Sequence, residues 1–544
     1  VTWKFTLPGL NRPYPHWLFL ALAIAAGGLR SDGGWLLFGM VFLGWFALRA
    51  EGFSAAGLRA PVMFFAWLLA AAVFSPDPAA SAGIFAGYAV LGAVFFSSAA
   101  HEEGAAGWLG AVRAIGAAAA AFLLVQRAAA GPVTGFIGGN PNYSAAFCAA
   151  ALPAALLAAA ASGEKKRRLL NAALAVLLAA GLLASGSRGA LLAAFTAACA
   201  GLYLAGFRRS MAVLMLAALA ALVLLPREML EGLFKFSDPR AFARPRLWAA
   251  ALQAAAARPL LGWGPGLFER AFEIFKFPYF DGVSYFGHGT LHAHGELFNL
   301  AAEAGFPAAL FFLAAAAGGL LCGGREKLPL KLGALAVFLQ GSADMIFYSG
   351  AVGLLFWGSL GFAVSGGGAS FAPAKRTRAA LAALLLAALA LAPAAGILSG
   401  QKDFLYSSYA EARSGKNKAL TLALLRSVAL DKPRDPFTAG AEGRALAAAG
   451  DFEGAAASFR YALALEPYYA AARVGLAGAL GAAGRPGECS AELLRLEARP
   501  ALSAVNDYQR ALLAYDRAGL LKLKKDLCVK KKTGGATARS PKGR

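Results

Sequence analysis

The stretch "LHAHGELFNLAAEAGFPAALFFL", residues 291 to 313, sets His292 and His294 just ahead of a long apolar run, in a chain with five histidines. An imidazole near neutrality accepts a proton from a sugar or protein hydroxyl, which is what transfer of a group onto that oxygen requires. His294, at the start of the apolar run, is the candidate base. His292 is a candidate helper or, equally, an interfacial aromatic-like anchor. Metal binding through the H-x-H pair is the weaker alternative, because no carboxylate or cysteine cluster accompanies it, and no metal or other cofactor is expected. Glu303 lies nine residues past His294, about two and a half helical turns deeper. It reads first as a helix-pairing or arginine-neutralising group and second as a helper in the chemistry. Asp344, in "GSADMIF", is a further candidate to neutralise an arginine.

Positive groups stand nearby in the chain. "DPRAFARPRLWAAALQAAAARPLLGWGPGLFERAF" puts Arg240, Arg244 and Arg246 beside Trp248 at the start of an amphipathic helix, followed by a glycine-rich turn. Guanidinium groups grip phosphate oxygens through a planar fork and stay charged at any working pH. A basic helix start beside aromatics also suits an anionic lipid headgroup, or is simply a polar loop with three arginines. "GSRGALLAA" sets Arg188 at the end of another apolar run, where it either snorkels to the interface or joins a site. "GFIGGNPNYSAAF" adds a polar turn with Asn142 before a further run.

These residues can meet only if the apolar runs position them. The 544-residue chain is 59% hydrophobic and 15% charged, with mean hydropathy +0.57. Continuously apolar runs recur from Trp17 to Leu398, each near the roughly 20 residues a helix needs to cross a bilayer. They do not alternate as barrel strands do. The first run is followed at once by another, so it reads as a retained span rather than a cleaved signal. The formal charge of +22 sits mostly in short loops and the last residues, which argues for membrane orientation and against nucleic acid. The five cysteines are widely spaced and predict neither a disulfide framework nor a zinc site.

The basic loops "GEKKRR", "FRRS", "GGREK" and "KRTR" all face the cytoplasm if runs near 169–184, 188–206, 211–225, 297–320, 328–347, 350–365 and 379–398 each cross once. Spans near 17–29, 34–48, 61–74, 82–100, 105–126 and 143–162 complete an expected set of about 12 or 13. Arg188, Arg244, the histidine pair and the turn at Asn142 then share the outer face. After Leu398 the chain turns to Ala-rich helical repeats: Gly450 and Gly484 are thirty-four residues apart, as are Pro433 and Pro467. That period resembles tetratricopeptide repeats, with about three units between 402 and 516, read as a docking platform for a protein partner or as structural support. A basic tail follows, suited to anionic lipid heads or to nothing specific.

The combination resembles the O-antigen ligase family of membrane transferases, which includes O-antigen polymerases and bacterial O-linked oligosaccharyltransferases. "GGNPNYSAAF", "SGSRGALLAAF", "RPRLWAAALQAAAARPLLGWGPGLF" and "HAHGELFNLAAEAGFPAAL" carry the resemblance, in that order, over about 135 to 365. It implies a donor glycan on undecaprenyl diphosphate, transferred without metal or nucleotide. It implies that Arg188 and Arg244 hold the diphosphate and that His294 activates the acceptor hydroxyl. Gly295 stands where family members commonly have Asn, so no polar role carries over to that position. Arg246, His292, Glu303 and Asn142 enter only as candidate helpers.

The expected architecture is therefore all-α: a polytopic membrane helix bundle with a large external loop, 226–296, and a soluble α-helical repeat domain behind it. The expected divisions are 1–134 for the first spans, 135–365 for the ligase-like core, 366–400 for the last span, 401–520 for the repeats and 521–544 for the basic tail. Expected partners are the lipid-linked donor, membrane lipids, a hydroxyl acceptor on lipid A core, a growing glycan or a protein, and a protein at the repeats. The expected place is the bacterial inner membrane, with the active face and repeats periplasmic. Two readings of another class remain at this point: a transporter of lipid-linked sugar that uses the same arginines to bind, and a non-enzymatic anchor for the repeats.

Overall fold

A computed structural model describes residues 15–49, 53–54, 59–224, 226, 231, 243–366, 370–371, 374–399 and 418–528. Arg240, the first part of the expected repeat region and the tail beyond Cys528 lie outside the described residues. The chain divides into two units, one of 1–271 with 291–399 and one of 272–290 with 400–544.

The first unit is a helical bundle. Its helices are α1 (His16–Ala25), α2 (Asp32–Arg49), α3 (Arg59–Val73), α4 (Pro78–Ala100), α5 (Ala105–Ala128), α6 (Pro141–Ala161), α7 (Lys165–Ser185), α8 (Arg188–Leu204), α9 (Arg208–Leu224), α10 (Arg244–Ala257), α11 (Phe268–Phe275, shared with the second unit), α12 (Glu296–Leu321), α13 (Leu328–Gly341), α14 (Gly350–Val364) and α15 (Lys375–Ser399). Leaving aside α10 and α11, these match the sequence-read spans one for one. Among the described residues, six helices are long and apolar enough to cross a membrane: 78–100, 102–128, 141–161, 165–185, 296–321 and 375–394. The protein is a multi-pass membrane protein.

The bundle surface shows what solvent it is built for. Leu169, Leu170, Val176 and Leu183 are exposed along α7, as are Val213, Leu216, Leu219 and Val223 along α9. Apolar side chains facing outward are stable against lipid tails, where the helical backbone satisfies its own polar groups. Every residue of α14 is buried. Its Phe356 and Trp357 pack with Phe64, Phe95 and Phe312 from three other helices. With lipid as apolar as the core, such close packing does the work that water would otherwise drive.

One break in α12 shapes the rest. Gly305 has φ 81°, and Pro307 follows two residues on. A side chain on Gly305 would run into the carbonyl of Leu260, in a backbone region L-residues rarely adopt. The opened backbone is satisfied by the turn after α10. Phe306 N donates to Pro259 O (2.9 Å), Trp263 N to Ala302 O (3.0 Å) and Gly264 N to Glu303 O (2.7 Å). The "RPLLGWGPG" turn is thus a plug docked into a kinked span.

The second unit packs helices α16 (Lys418–Asp431), α17 (Pro436–Ala449), α18 (Phe452–Leu465) and α19 (Ala470–Ala482) each against the next, α17 and α18 forming a hairpin about Gly450. After these come α20 (Pro486–Glu497), α21 (Asp507–Leu513) and α22 (Arg517–Leu523). Gly450 adopts φ 90° and ends α17, the turn role its spacing predicts. One sequence reading is corrected here. Cys489 and Cys528, 39 residues apart, form a disulfide with Cα atoms 5.3 Å apart. Spacing alone hid it because the partners meet only once the last helices fold back on α20. Cys148, Cys199 and Cys322 are free.

Candidate functional site

The turns α1–α2, α5–α6 and α13–α14 meet at one end of the bundle, beside the start of α12. Arg30 donates to Gly138 O (2.5 Å), Ser349 Oγ to Gly28 O (2.9 Å) and Gln340 Nε2 to Asn142 O (3.0 Å). These bonds tie turns far apart in sequence into one end of the bundle.

At its centre the chain passes through His292, Ala293 and His294 before entering α12. His294 has φ 55°, a left-handed backbone that costs a non-glycine residue about 1–3 kcal/mol. Its surroundings enforce it. Trp248 Nε1 donates to the His294 carbonyl (3.3 Å), and Ala293 N donates to Asn299 Oδ1 (3.1 Å). Trp248 in turn stacks on Phe298, with ring centroids 5.0 Å apart. Gly295 is a close-approach position: a Cβ there would lie 2.9 Å from the Ser342 carbonyl and 3.0 Å from Trp248 Nε1. Packing, not polarity, explains glycine at this place.

Arg244, at the start of α10, approaches Asp344 with Nη2 3.7 Å from Oδ1; Asp344 is buried and Arg244 is 30% exposed. Both face His294. Burial lowers the His294 pKa, Asp344 pulls it back up, and Arg244 lowers it again. The ring is therefore neutral near pH 7 and able to take a proton. His292 is held lower still, at about 4, first by burial, then by His294 and Arg30. Its ring sits 4.3 Å from that of Tyr348, over which Arg30 lies at 5.2 Å.

The remaining candidates spread around this centre. Arg188 opens α8, whose first turn is capped by Ser187 Oγ accepting from Ala190 N (3.4 Å). Its neighbour Gly189 abuts the Gln340 side chain, so α13 ends between the turns bearing Arg188 and Asn142. Arg246 is exposed and two positions beyond Arg244, hence on a different face of α10. Glu303 is buried and accepts from Phe268 N (3.3 Å), which fastens the plug turn to α12.

A cavity of about 450 Å³ adjoins His292 but is not lined by His294; Arg30, Tyr88, Glu269, Glu296 and Glu303 are among its walls. Arg30, Asn299 and Tyr348 are site residues that sequence reasoning passed over. Arg30 had a usable signal, since "GGLRSDGG" is a polar outer turn by the same topology that selected Arg188. Asn299 and Tyr348 had none, because each looks like an ordinary residue at the end of an apolar run.

Residues 173–313 match the family described as O-Antigen ligase, a segment that holds Arg188, Arg244, His294 and Glu303. Residues 446–512 match Tetratricopeptide repeat. Comparison with curated proteins finds no match. The chain is a multi-pass membrane protein that carries an O-antigen ligase-family domain and, behind it, tetratricopeptide repeats.

Proposed function

We propose that the protein transfers a glycan from undecaprenyl diphosphate to an acceptor hydroxyl at the outer face of the bacterial inner membrane. The observation that carries this reading is the approach of Arg244 and Asp344 to a neutral His294 held in a constrained backbone. In the reaction His294 accepts the acceptor's hydroxyl proton as the oxygen bonds to the anomeric carbon. The bond from that carbon to the phosphate oxygen breaks, and the lipid diphosphate leaves with its electron pair. Arg244 and Arg188 stabilise the charge that grows on the leaving group, which lowers the barrier because it is larger in the transition state than in the ground state. Loss of either arginine is expected to cost about 3 kcal/mol, roughly a hundredfold, by analogy with a lost oxyanion donor.

The helpers take lesser parts: His292 and Asn142 shape the site, Glu303 holds the plug turn, and Arg246 faces lipid headgroups. The cavity beside His292 falls in the size range of small-molecule sites and gives room for sugar rings. The outer-face placement is supported by the basic loops at the opposite helix ends, which the positive-inside rule keeps in the cytoplasm. The Cys489–Cys528 disulfide supports an oxidising compartment for the repeats. On this reading 135–365 is the catalytic core.

The test is purified protein with lipid-linked glycan and three acceptors in turn: lipid A core, a second lipid-linked glycan, and a Ser/Thr protein. The acceptor that gains sugar names the branch of the reaction. His294→Ala is expected to abolish transfer while insertion and melting persist; full transfer by that variant would remove the assigned base.

A further inference from the structure

The segment between α11 and the histidines is not organised by its own secondary structure. From 276 to 292 it has no helix or strand, and it holds Pro278, Gly282, Gly287 and Gly289. Ordering such a chain costs about 1–2 kcal/mol per residue in backbone entropy, so its shape needs external partners. Within the second unit it has them, and they come from the repeats.

Glu466, fully buried at the end of α18, is the main one. Its Oε2 accepts from Tyr285 N (2.7 Å), and its Oε1 accepts from Phe286 N (2.7 Å) and from the Tyr508 hydroxyl (3.0 Å). Gln509 Nε2 donates to Asp281 Oδ1 (3.1 Å), which also accepts from Ser284 N and Oγ. Arg434, just ahead of α17, donates to the Lys276 carbonyl. The Tyr508 ring lies so close to Gly287 that any side chain there would meet it. His288 is enclosed by Phe272, Phe277 and Tyr279. Residues from three separate places in the repeats thus hold one loop at both ends. Charge-assisted bonds to buried backbone amides are among the stronger hydrogen bonds a protein makes.

Resting on the glycan-transfer reading, we propose that the ligand of the repeats is this chain's own external loop and that Glu466 is a positioning residue for His294. Four residues separate Gly287 from His292, so a held loop limits the ways in which the chain can deliver the histidines to α12. Catalytic groups lose rate steeply when misplaced by even about an ångström. The surface expected to dock a protein partner is, at these positions, already filled. The repeats and the loop must therefore share one side of the membrane.

The experiment uses full-length protein in lipid nanodiscs and two variants that release the loop from opposite sides, Glu466→Gln and Gly287→Ala. In Glu466→Gln the amide presents a donor where two backbone N–H groups need acceptors. Both variants are expected to lose hydrogen-exchange protection over 276–290. Both are expected to lower kcat at least tenfold with the donor KM within about twofold, while the bundle melts as in the parent. Tyr508→Phe, which drops one of three bonds, is expected to fall between. Unchanged kcat with protection lost in either variant would overturn the positioning role. Unchanged protection in both would overturn the clamp. If the parent transfers no glycan, the assigned reaction fails, and the exchange result still decides whether the repeats hold the loop.

Discussion

Asp344 Oδ1 stands 3.7 Å from Arg244 Nη2, and the same carboxylate faces His294, so one buried group partners an arginine and partly offsets the lowering that burial imposes on the histidine. The consequence is a pH profile with a definite sign. The base works in its neutral form, and burial keeps its pKa below 6.5, so transfer is expected to persist as pH falls past that value and to fail only below it. Asp344→Asn removes the one influence that raises this pKa. The acid limb of kcat/KM should move to lower pH, while the plateau drops about tenfold as Arg244 loses its partner. Arg244→Ala should move the limb the other way. A limb that stays put in both variants would show that His294 is not the titrating group.

Trp248→Phe separates packing from hydrogen bonding. The phenyl ring can still stack on Phe298, but the donor to the His294 carbonyl is gone. A neutral hydrogen bond of this kind contributes about 1 kcal/mol. The expected result is a three- to tenfold fall in kcat with little change in thermal stability. An unchanged kcat would mean that the remaining contacts are enough to hold the left-handed turn at His294.

The helices were legible because lipid and core both reward continuous apolar runs, and the basic loops ordered them by side. Asp344 was readable as an arginine partner from its place near a span end, and the plug turn from its glycines. The strain at His294 was not readable, since histidine gives no sign of positive φ. Nor was the hold of Glu466 on the loop, because an acid between "LAL" and "PYY" looks like any helix end. Contacts between residues 180 positions apart leave no local period to find.

Gly305→Ala tests the kink. The φ of 81° and the nearby Leu260 carbonyl leave no room for a methyl group. Strain and overpacking together are expected to cost about 3 kcal/mol. The variant should melt earlier in detergent and expose the plug turn to protease between Arg258 and Phe268. A parent-like melt would show that α12 can straighten without loss.

The disulfide gives the last prediction, and it bears on stability and on compartment together. Cys489 and Cys528 close a 39-residue separation, for which the chain-entropy argument gives about 4 kcal/mol of stabilisation. Cys489→Ser or Cys528→Ser should lower the midpoint of repeat unfolding, and a reductant should lower the parent to the same value but leave the variants unmoved. In cells lysed into denaturant with the alkylating agent, the two parent cysteines should resist alkylation, while Cys528→Ser should leave Cys489 reactive. Full alkylation of both in the parent would mean that the pair is reduced, as in a cytoplasmic compartment. Because the loop of 272–290 folds with these repeats, that result would also put the approach to His294 on the wrong side of the membrane for a lipid-linked glycan at the outer face.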